Sequence, residues 1–515
     1  MTPVPSTTFH ELWSAAVAGH GDRLFLLFRD DHAINAYSYE EFDEVVAETA
    51  GTLRAAGVGP GSCVHLALAN CPAFVAAWLA AARLGAWIAP ADPASTARDI
   101  ASQVRRIRPA VALCAAARAD AYRAGAAGAV PVVVELAETA ADVAPGGPLS
   151  RGEPVAAAAA GIGPSDRLAV MFTSGTTSEP KGVVLTQENY RTVGAVMAAA
   201  VGLRPEDRWL VTLPLFHANA QYYCFAPAIA TGAAVALTHT FSASRWLRQA
   251  DELGVTHASL FAAPIRMILA RCGTELPPLR LRHVWFAQSL GEQHYERFAA
   301  IVGCRPRQLY GMTETIAAVT GDTSVPLRHD VIGEPLGDRE IAVVDPVDGG
   351  PAATGAPGML RVRGVRGADL FAGYLDDPET NGRSFTDLPD GTSWFTTGDL
   401  VAADADGRLR FVGRLDDVIK VSGENVSLTE VESVLAQAPG VLEAAVVARP
   451  DPTRDVVPVA YVVPRDAGAP PDLAALADWA TGNLPPAARP REWHLIDELP
   501  RTSVGKVRRF RIGSA

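Results

Sequence analysis

The sequence predicts an α/β protein: a large N-terminal domain of doubly wound sheets with a small β-barrel-like unit, then a smaller α+β domain. Three observations predict it. Short β-rich runs alternate with longer helical patterns along the chain, as expected of parallel strands joined by crossover helices. At 515 residues the chain is longer than one core normally serves, so it divides into a large and a small domain. A hydrophobic content of 49% with 20% charged residues describes a folded, soluble protein and not a disordered one.

Taken in order, the most apolar stretch, Ala73 to Pro90, is interrupted by Arg83 and Gly85 and is too short to span a membrane. It reads as a buried helix running into a strand. Residues 139–164, rich in Ala, Gly and Pro, read as a surface connection between two halves of the body. RLAVMF (167–172) is a buried strand, followed by a Ser/Thr/Gly loop, a short VVL run and a helix beginning near Gln187. The strand signal repeats in RWLVTL (208–213), AAVALT (233–238), HASLF (257–261) and HVWFA (283–287). Helical segments at 242–254 and 291–303 separate some of these runs. From about Pro335 to Arg410 short strands and Gly turns mark the barrel-like unit. After GRLDD (413–417) come a helix, two strands and another helix, so the expected domains are 1–413 and 414–515. In such bodies ligands bind at the carboxyl ends of the strands.

Charge and cysteine content exclude several classes. The net charge of −12 argues against a general binder of nucleic acid or anionic membrane, which needs a basic surface. Six cysteines (63, 71, 114, 224, 272 and 304) lack any C-x-x-C spacing, so neither a disulfide framework nor a zinc site is expected. A reducing, cytoplasmic setting fits. The N-terminus MTPVPSTTFHELW has neither a basic leader nor an apolar core, so no signal peptide is expected.

Only three lysines occur, Lys181, Lys420 and Lys506, against 42 arginines. Where Lys survives such a bias, a compact ammonium on a flexible stem is expected to matter, because a guanidinium fork fills a different space. All three lie in Gly-containing segments: TSGTTSEPKGV (173–183), DDVIKVSGENVS (416–427) and PRTSVGKVRR (500–509). In the first, Thr173, Ser174, Gly175, Thr176 and Thr177 allow close backbone approach and offer N–H and hydroxyl donors to phosphate oxygens, with Lys181 behind them. It is not a Walker loop, since Gly182 follows Lys181 where Ser or Thr would stand. A second segment, YGMTET (310–315), sets an aromatic ring, a glycine and polar groups at a strand's carboxyl end.

These segments, with LPLFHANAQ (213–221), TGD (397–399) and GRLDDVIKVSGENVSLTEVE (413–432), occur in an order that resembles the adenylate-forming superfamily of acyl-CoA synthetases, nonribosomal peptide adenylation domains and luciferases. The resemblance covers nearly the whole chain. It implies ATP, Mg²⁺ and coenzyme A as reactants and cofactors, and a small-molecule carboxylic acid as substrate. By the same resemblance Tyr310 stacks on adenine, with Gly311 and Met312 beside it. Thr313 contacts phosphate, and Glu314 and Thr176 help hold Mg²⁺. Asp399 takes the ribose hydroxyls, Arg414 contacts ribose and phosphate, and Asp416 is the hinge. Lys506 is the catalytic ammonium, and Gly423 lines the thiol channel. For Lys420 a surface cation and an acceptor contact stay equally open. Asp417 reads as a polar turn, and Arg501, Arg508, Arg509 and Arg511 as a solvated tail.

By the same resemblance the segment after LPLFH lines the acyl pocket, formed by His217, Asn219, Gln221 and Tyr222, together with Ala287 and Gly311. His217 also serves as a gate or substrate contact. No Asp stands there to pair with an α-ammonium, which argues against an amino acid, and the polar, aromatic lining suits a hydroxylated or aromatic acid. For Tyr222 and Tyr223 a plain core role is as open as a lining role. In FAQSLGEQ (286–293), Gln288 and Ser289 replace the small residues usual beside the nucleotide, a feature similar to the carnitine/crotonobetaine-CoA ligase branch. Three functions remain. The first is an ATP-dependent acid–CoA ligase. The second is an adenylating enzyme with another acceptor (a carrier-protein thiol, an amine, or nitrite in an ATP-dependent diazotase), and the third a non-catalytic nucleotide-binding relative. Oligomeric state is not legible.

Overall fold

The computed structural model describes residues 8–30, 33–157, 161–173, 180–421, 424–451, 455–501, 507 and 509–512. Two large sheets build the N-terminal body. The nine-stranded sheet runs in the order Glu334–Pro335, Thr320–Gly321, Arg307–Tyr310, His283–Ala287, His257–Phe261, Arg208–Val211, Ala234–Thr238, Leu24–Arg29, Ile34–Ser38. From Arg307–Tyr310 to Leu24–Arg29 the neighbours are parallel, and only the edges are antiparallel. The seven-stranded sheet runs Gly373–Tyr374, Lys181–Thr186, Arg167–Thr173, Trp87–Ala91, Cys63–Ala67, Val111–Ala115, Val132–Leu136. Its last five strands are parallel, whereas Arg167–Thr173 and Lys181–Thr186 pair antiparallel. That hairpin brings both ends of the Ser/Thr/Gly segment to one sheet edge.

One continuous apolar cluster joins the sheets, with Phe25, Trp78, Leu185, Trp209 and Leu309 all buried in it. The helix Pro72–Arg83 lies wholly inside that cluster and runs into the buried strand Trp87–Ala91. Its one charge, Arg83, is neutralised by an ion pair with Asp43 and donates to the Val155 carbonyl at 3.0 Å. A buried charge without such partners would cost several kcal/mol. The helix Gln187–Val201 starts where the sequence places it. Thr186 caps it by accepting from the Asn189 N–H, and Gly202 ends it at a φ of +58°.

Three expectations change. Residues 139–164 are not a plain surface connection: Gly152 packs so closely on Gly51 that a Cβ on Gly152 would come within 2.1 Å of the Gly51 carbonyl carbon. The barrel-like unit is a five-stranded antiparallel sheet formed by Ile341–Val344, Gly358–Gly364, Ser393–Ala403, Phe385–Asp387 and Leu409–Arg414, and its strand order does not return on itself. The C-terminal basics are engaged as well. Arg501 pairs with Glu443, and Arg509 reaches Asp417 at 2.8 Å and Glu432 at 2.6 Å. Asp417 is therefore an ion-pair partner that anchors the chain end, not a free turn. Arg508 lies outside the described residues.

The C-terminal domain is a five-stranded sheet (Glu424–Ser427, Val418–Val421, Asp455–Pro464, Val441–Asp451, Glu492–Leu495) covered by the helices Leu428–Leu435 and Leu473–Asn483. It has its own apolar clusters, built around Val446, Tyr461 and Val462. It meets the larger domain near Gly291, where a Cβ would stand 3.1 Å from Gln437 Cγ.

Candidate active site

The strand Arg307–Tyr310 ends at the carboxyl edge of the large sheet, and its last residue organises the site. The Tyr310 hydroxyl donates to Asp399 Oδ2 at 2.6 Å, with both groups buried. Burial, with the adjacent Asp399 charge, holds the Tyr310 phenol well above its usual range, so the proton stays on the tyrosine. Asp399 and Arg414 are register partners across the strands Ser393–Ala403 and Leu409–Arg414, which sets Arg414 Nε 3.7 Å from Asp399 Oδ1. That is an ion pair but too long for a hydrogen bond. Arg414 Nε is buried with no hydrogen-bond partner among the described residues, an orphan donor near the Asp399 and Glu314 carboxylates. Although burial disfavours its charge, Asp399 and Glu314 hold the guanidinium more firmly protonated than usual. The Tyr310 ring also stacks on Phe411, with centroids 6.2 Å apart.

After Gly311 and Met312 the chain makes a single 3₁₀ turn, Thr313–Thr315, closed by the Thr315 hydroxyl accepting from the Met312 N–H at 3.1 Å. Glu314 is 5% exposed, and its Oε1 accepts from the Tyr374 hydroxyl at 3.1 Å. Tyr374 carries the Lys181 ammonium over its ring at 5.2 Å. Lys181, Tyr374 and Glu314 thus form a line from the hairpin edge into the site. The turn is followed by Ile316 at a φ of +66°, a conformation a β-branched residue rarely adopts. Arg339 braces it, donating to the Thr315 carbonyl at 2.8 Å and to that of Asp369 at 2.8 Å.

Opposite lies the LPLFH segment, held by Asn70. The Asn70 amide donates to the Leu213 and Thr238 carbonyls at 3.1 Å each and accepts from the Leu215 N–H at 2.7 Å. His217 is half-buried, its ring 4.6 Å from that of Phe216, and it precedes the short helix Ala218–Ala220. A π-helical turn, Gln221–Phe225, follows with all five residues buried. One expectation fails here. Gln221 is not free to meet a substrate, because its Oε1 accepts from the Tyr190 hydroxyl and its Nε2 donates to the Leu215 carbonyl, both at 2.6 Å. Asn219 and Tyr222 are buried, and the Tyr223 hydroxyl stands 2.7 Å from where a Cβ on Gly311 would lie. Gly311 is therefore the meeting point of the two halves of the site.

Ala287 ends the strand His283–Ala287, with Gln288 and Ser289 exposed beyond it. Gln288 has a φ of +75°, a left-handed conformation that glycine adopts freely. Asp416 is exposed in the 3₁₀ turn Leu415–Asp417 joining the last strand of the small sheet to the C-terminal domain. Lys420 is exposed on the strand Val418–Val421, and Thr173 pairs with Lys181 across the hairpin. Ser174, Gly175, Thr176, Thr177, Gly423 and Lys506 lie outside the described residues. Reading the sequence missed Tyr374, Asn70, Arg339 and Tyr190. Each acts through a partner far along the chain, and none carries a local pattern that could have disclosed it.

The model of the AMP-binding enzyme family matches residues 13–375, and that of the AMP-binding enzyme C-terminal domain matches residues 430–506. The chain belongs to the AMP-binding enzyme family. Among curated relatives of this AMP-binding enzyme, the crotonobetaine/carnitine–CoA ligase of Salmonella agona (strain SL483) is 28% identical over 517 residues, covering 98% of this chain and 99% of that protein. Among solved structures, the anthranilate CoA ligase AuaEII in complex with anthranoyl-AMP superposes with a TM-score of 0.87 at 22% identity, covering 98% of this chain and 97% of that one. The o-succinylbenzoate coenzyme A synthetase of Bacillus subtilis in complex with AMP gives 0.82 at 25% identity over 98% of both chains. The expected architecture, a large sheet-built N-terminal domain and a smaller C-terminal one, is that of these ligases. No described helix is long and apolar enough to cross a membrane.

Proposed function

We propose that this AMP-binding enzyme is an ATP-dependent acid–CoA ligase acting on a small polar or aromatic carboxylic acid. The observation that carries this reading is the convergence of Tyr310, Asp399, Arg414 and Glu314 at the carboxyl end of the strand Arg307–Tyr310, with Tyr223 of the π-turn after LPLFH meeting Gly311. Coenzyme A as acceptor rests on the full-length likeness to a CoA ligase.

In the first half-reaction a carboxylate oxygen of the acid attacks the α-phosphorus of ATP, and the bond to pyrophosphate breaks. Two anions meet, so the transition state depends on fixed cations and donors. The orphan Nε–H of Arg414 fits a phosphate or ribose oxygen, and Asp399 is placed as the hydroxyl acceptor beside it. Glu314 presents a buried carboxylate without the three-residue cluster of an all-protein metal site, since no such group occurs among the described residues. That donor set suits Mg²⁺ held by Glu314, Thr176 and phosphate oxygens, where it would neutralise phosphate charge. The sequence motif assigns Lys506 the ammonium that bridges carboxylate and α-phosphate. In the second half-reaction the thiol sulfur of coenzyme A attacks the acyl carbon and AMP leaves, with Gly423 lining the thiol's path. We place the domain boundary near 413/414, with Asp416 as hinge, and the enzyme in the cytoplasm, where six unpaired cysteines stay reduced.

The test is ATP–pyrophosphate exchange against a panel of aromatic, hydroxylated, aliphatic and betaine acids, followed by acceptor screening with the best acid. Acid-dependent exchange, and thioester formed only with coenzyme A, are the expected results. Exchange with no acid would overturn the ligase reading, and product formed only with an amine, nitrite or a carrier protein would overturn the acceptor.

A further inference from the structure

The π-helical turn after LPLFH leaves a specific debt unpaid. Tyr222 is 0% exposed, yet among the described residues its hydroxyl has no hydrogen-bond partner. Three residues earlier on the same helical run Asn219, 7% exposed, has a side-chain oxygen that is also buried and unpartnered. By contrast Gln221, on the same turn, uses both ends of its amide, one of them on Tyr190. A buried hydroxyl or amide oxygen without a partner is costly, so a pair of them on one short segment calls for an explanation. The Tyr222 ring packs edge-on against Tyr190 at 5.5 Å and lies beside Tyr223 at 6.5 Å, so its position is braced by aromatic neighbours. The next residue, Tyr223, sets its hydroxyl 2.7 Å from where a Cβ on Gly311 would lie, so the turn abuts the YGMTET segment. π-Turns are rare and concentrate at functional sites, because the extra residue re-aims the side chains that follow.

We infer that the Tyr222 hydroxyl and the Asn219 amide oxygen select a carboxylic acid whose body carries a hydroxyl or amino substituent, over the same acid without it. The inference rests on the acid-activating reading above. The phenol donates to, or accepts from, the substituent, and the amide oxygen accepts its proton. An unsubstituted acid leaves both buried atoms unpaired, and that penalty sets the discrimination.

The experiment compares matched pairs (benzoate with amino- and hydroxybenzoates, butyrate with hydroxybutyrates) by pyrophosphate exchange, and their acyl-sulfamoyl adenosine analogues by calorimetry. For one substituted member, wild type is expected to show kcat/KM and affinity at least about tenfold higher than for its plain counterpart, the scale of one satisfied against one orphaned hydrogen bond. Tyr222→Phe brings that ratio to near one and does not lower the thermal midpoint, since it removes an unpaired hydroxyl. Asn219→Leu narrows the ratio as well. A ratio unchanged in Tyr222→Phe, or a wild type that treats every pair alike, overturns the inference. If no acid supports exchange while the analogues still bind with the expected preference, the ligase reading fails and the pocket assignment stands.

Discussion

Gln288 occupies a backbone conformation that costs a non-glycine residue about 1–2 kcal/mol, at a position exposed beyond a strand end. Gln288→Gly is expected to stabilise the protein by about 0.5–1 kcal/mol, once the extra chain entropy of glycine is subtracted. Chemical denaturation reads it, with Gln288→Val shifting the midpoint the other way. At Tyr310 the sign is reversed. Tyr310→Phe strips a buried carboxylate of its 2.6 Å donor, so stability should fall by about 1–3 kcal/mol and the KM for ATP should rise. Glu314, Asp399 and Arg414 were legible as residues because they sit in short motifs, but their mutual arrangement was not. The Tyr374 hydroxyl on Glu314 joins residues 60 apart in the chain, and no local pattern encodes that contact.

At the scale of elements, the start of the helix Gln187–Val201 and both ends of the strands His257–Phe261 and His283–Ala287 were readable to within a residue. Each is bounded by its own caps or breaks in apolar patterning, which are local signals. The loops between them are held from outside. Asn70, from the turn after the strand Cys63–Ala67, spends three hydrogen bonds on the LPLFH segment and the end of a neighbouring strand. Asn70→Ala is expected to cost about 2–4 kcal/mol and to raise the KM for the acid while leaving that for ATP in place. Denaturant titration and steady-state kinetics read the two effects separately, and a KM change shared by both substrates would show that Asn70 supports the whole site. The π-turn was invisible in sequence, because Gln221 to Phe225 read equally well as an ordinary buried helix.

For the whole molecule, two properties lend themselves to test. The first is acid sensitivity. His65, bonded to Tyr122 and Gln103, and His257, beside Asp207, are buried imidazoles whose pKa burial lowers to about 4. Unfolded, each takes up a proton below about 6.5, so the unfolded state binds more protons between that pH and about 4. Stability should therefore fall as pH drops through this window, by up to about 1.4 kcal/mol per pH unit per histidine, and urea midpoints at pH 7.5, 5.5 and 4.5 read the slope. The second is domain alternation. If the small domain delivers Lys506 for one half-reaction and Gly423 for the other, Lys506→Ala loses at least about a hundredfold in adenylate formation. Thiolysis of a supplied acyl adenylate should stay near wild type. Equal losses in both steps would break the assignment of the two residues to two conformations.

What the amino-acid sequence settled alone was local or ordered along the chain: the alternation of strands and helices, the plan of a large and a smaller domain, and a series of motifs whose chemistry is adenylation. Patterning and capping act over a few residues, and a motif is a stretch of chain, so both can be read without coordinates. What only the tertiary structure decided was which polar atoms are already satisfied. Gln221 turned out to be spoken for, Tyr222 and Asn219 to be unpaired, and Asp417 to anchor the chain end. A hydrogen bond needs its partner within about 3 Å, and those partners come from elements that meet only when the chain has folded.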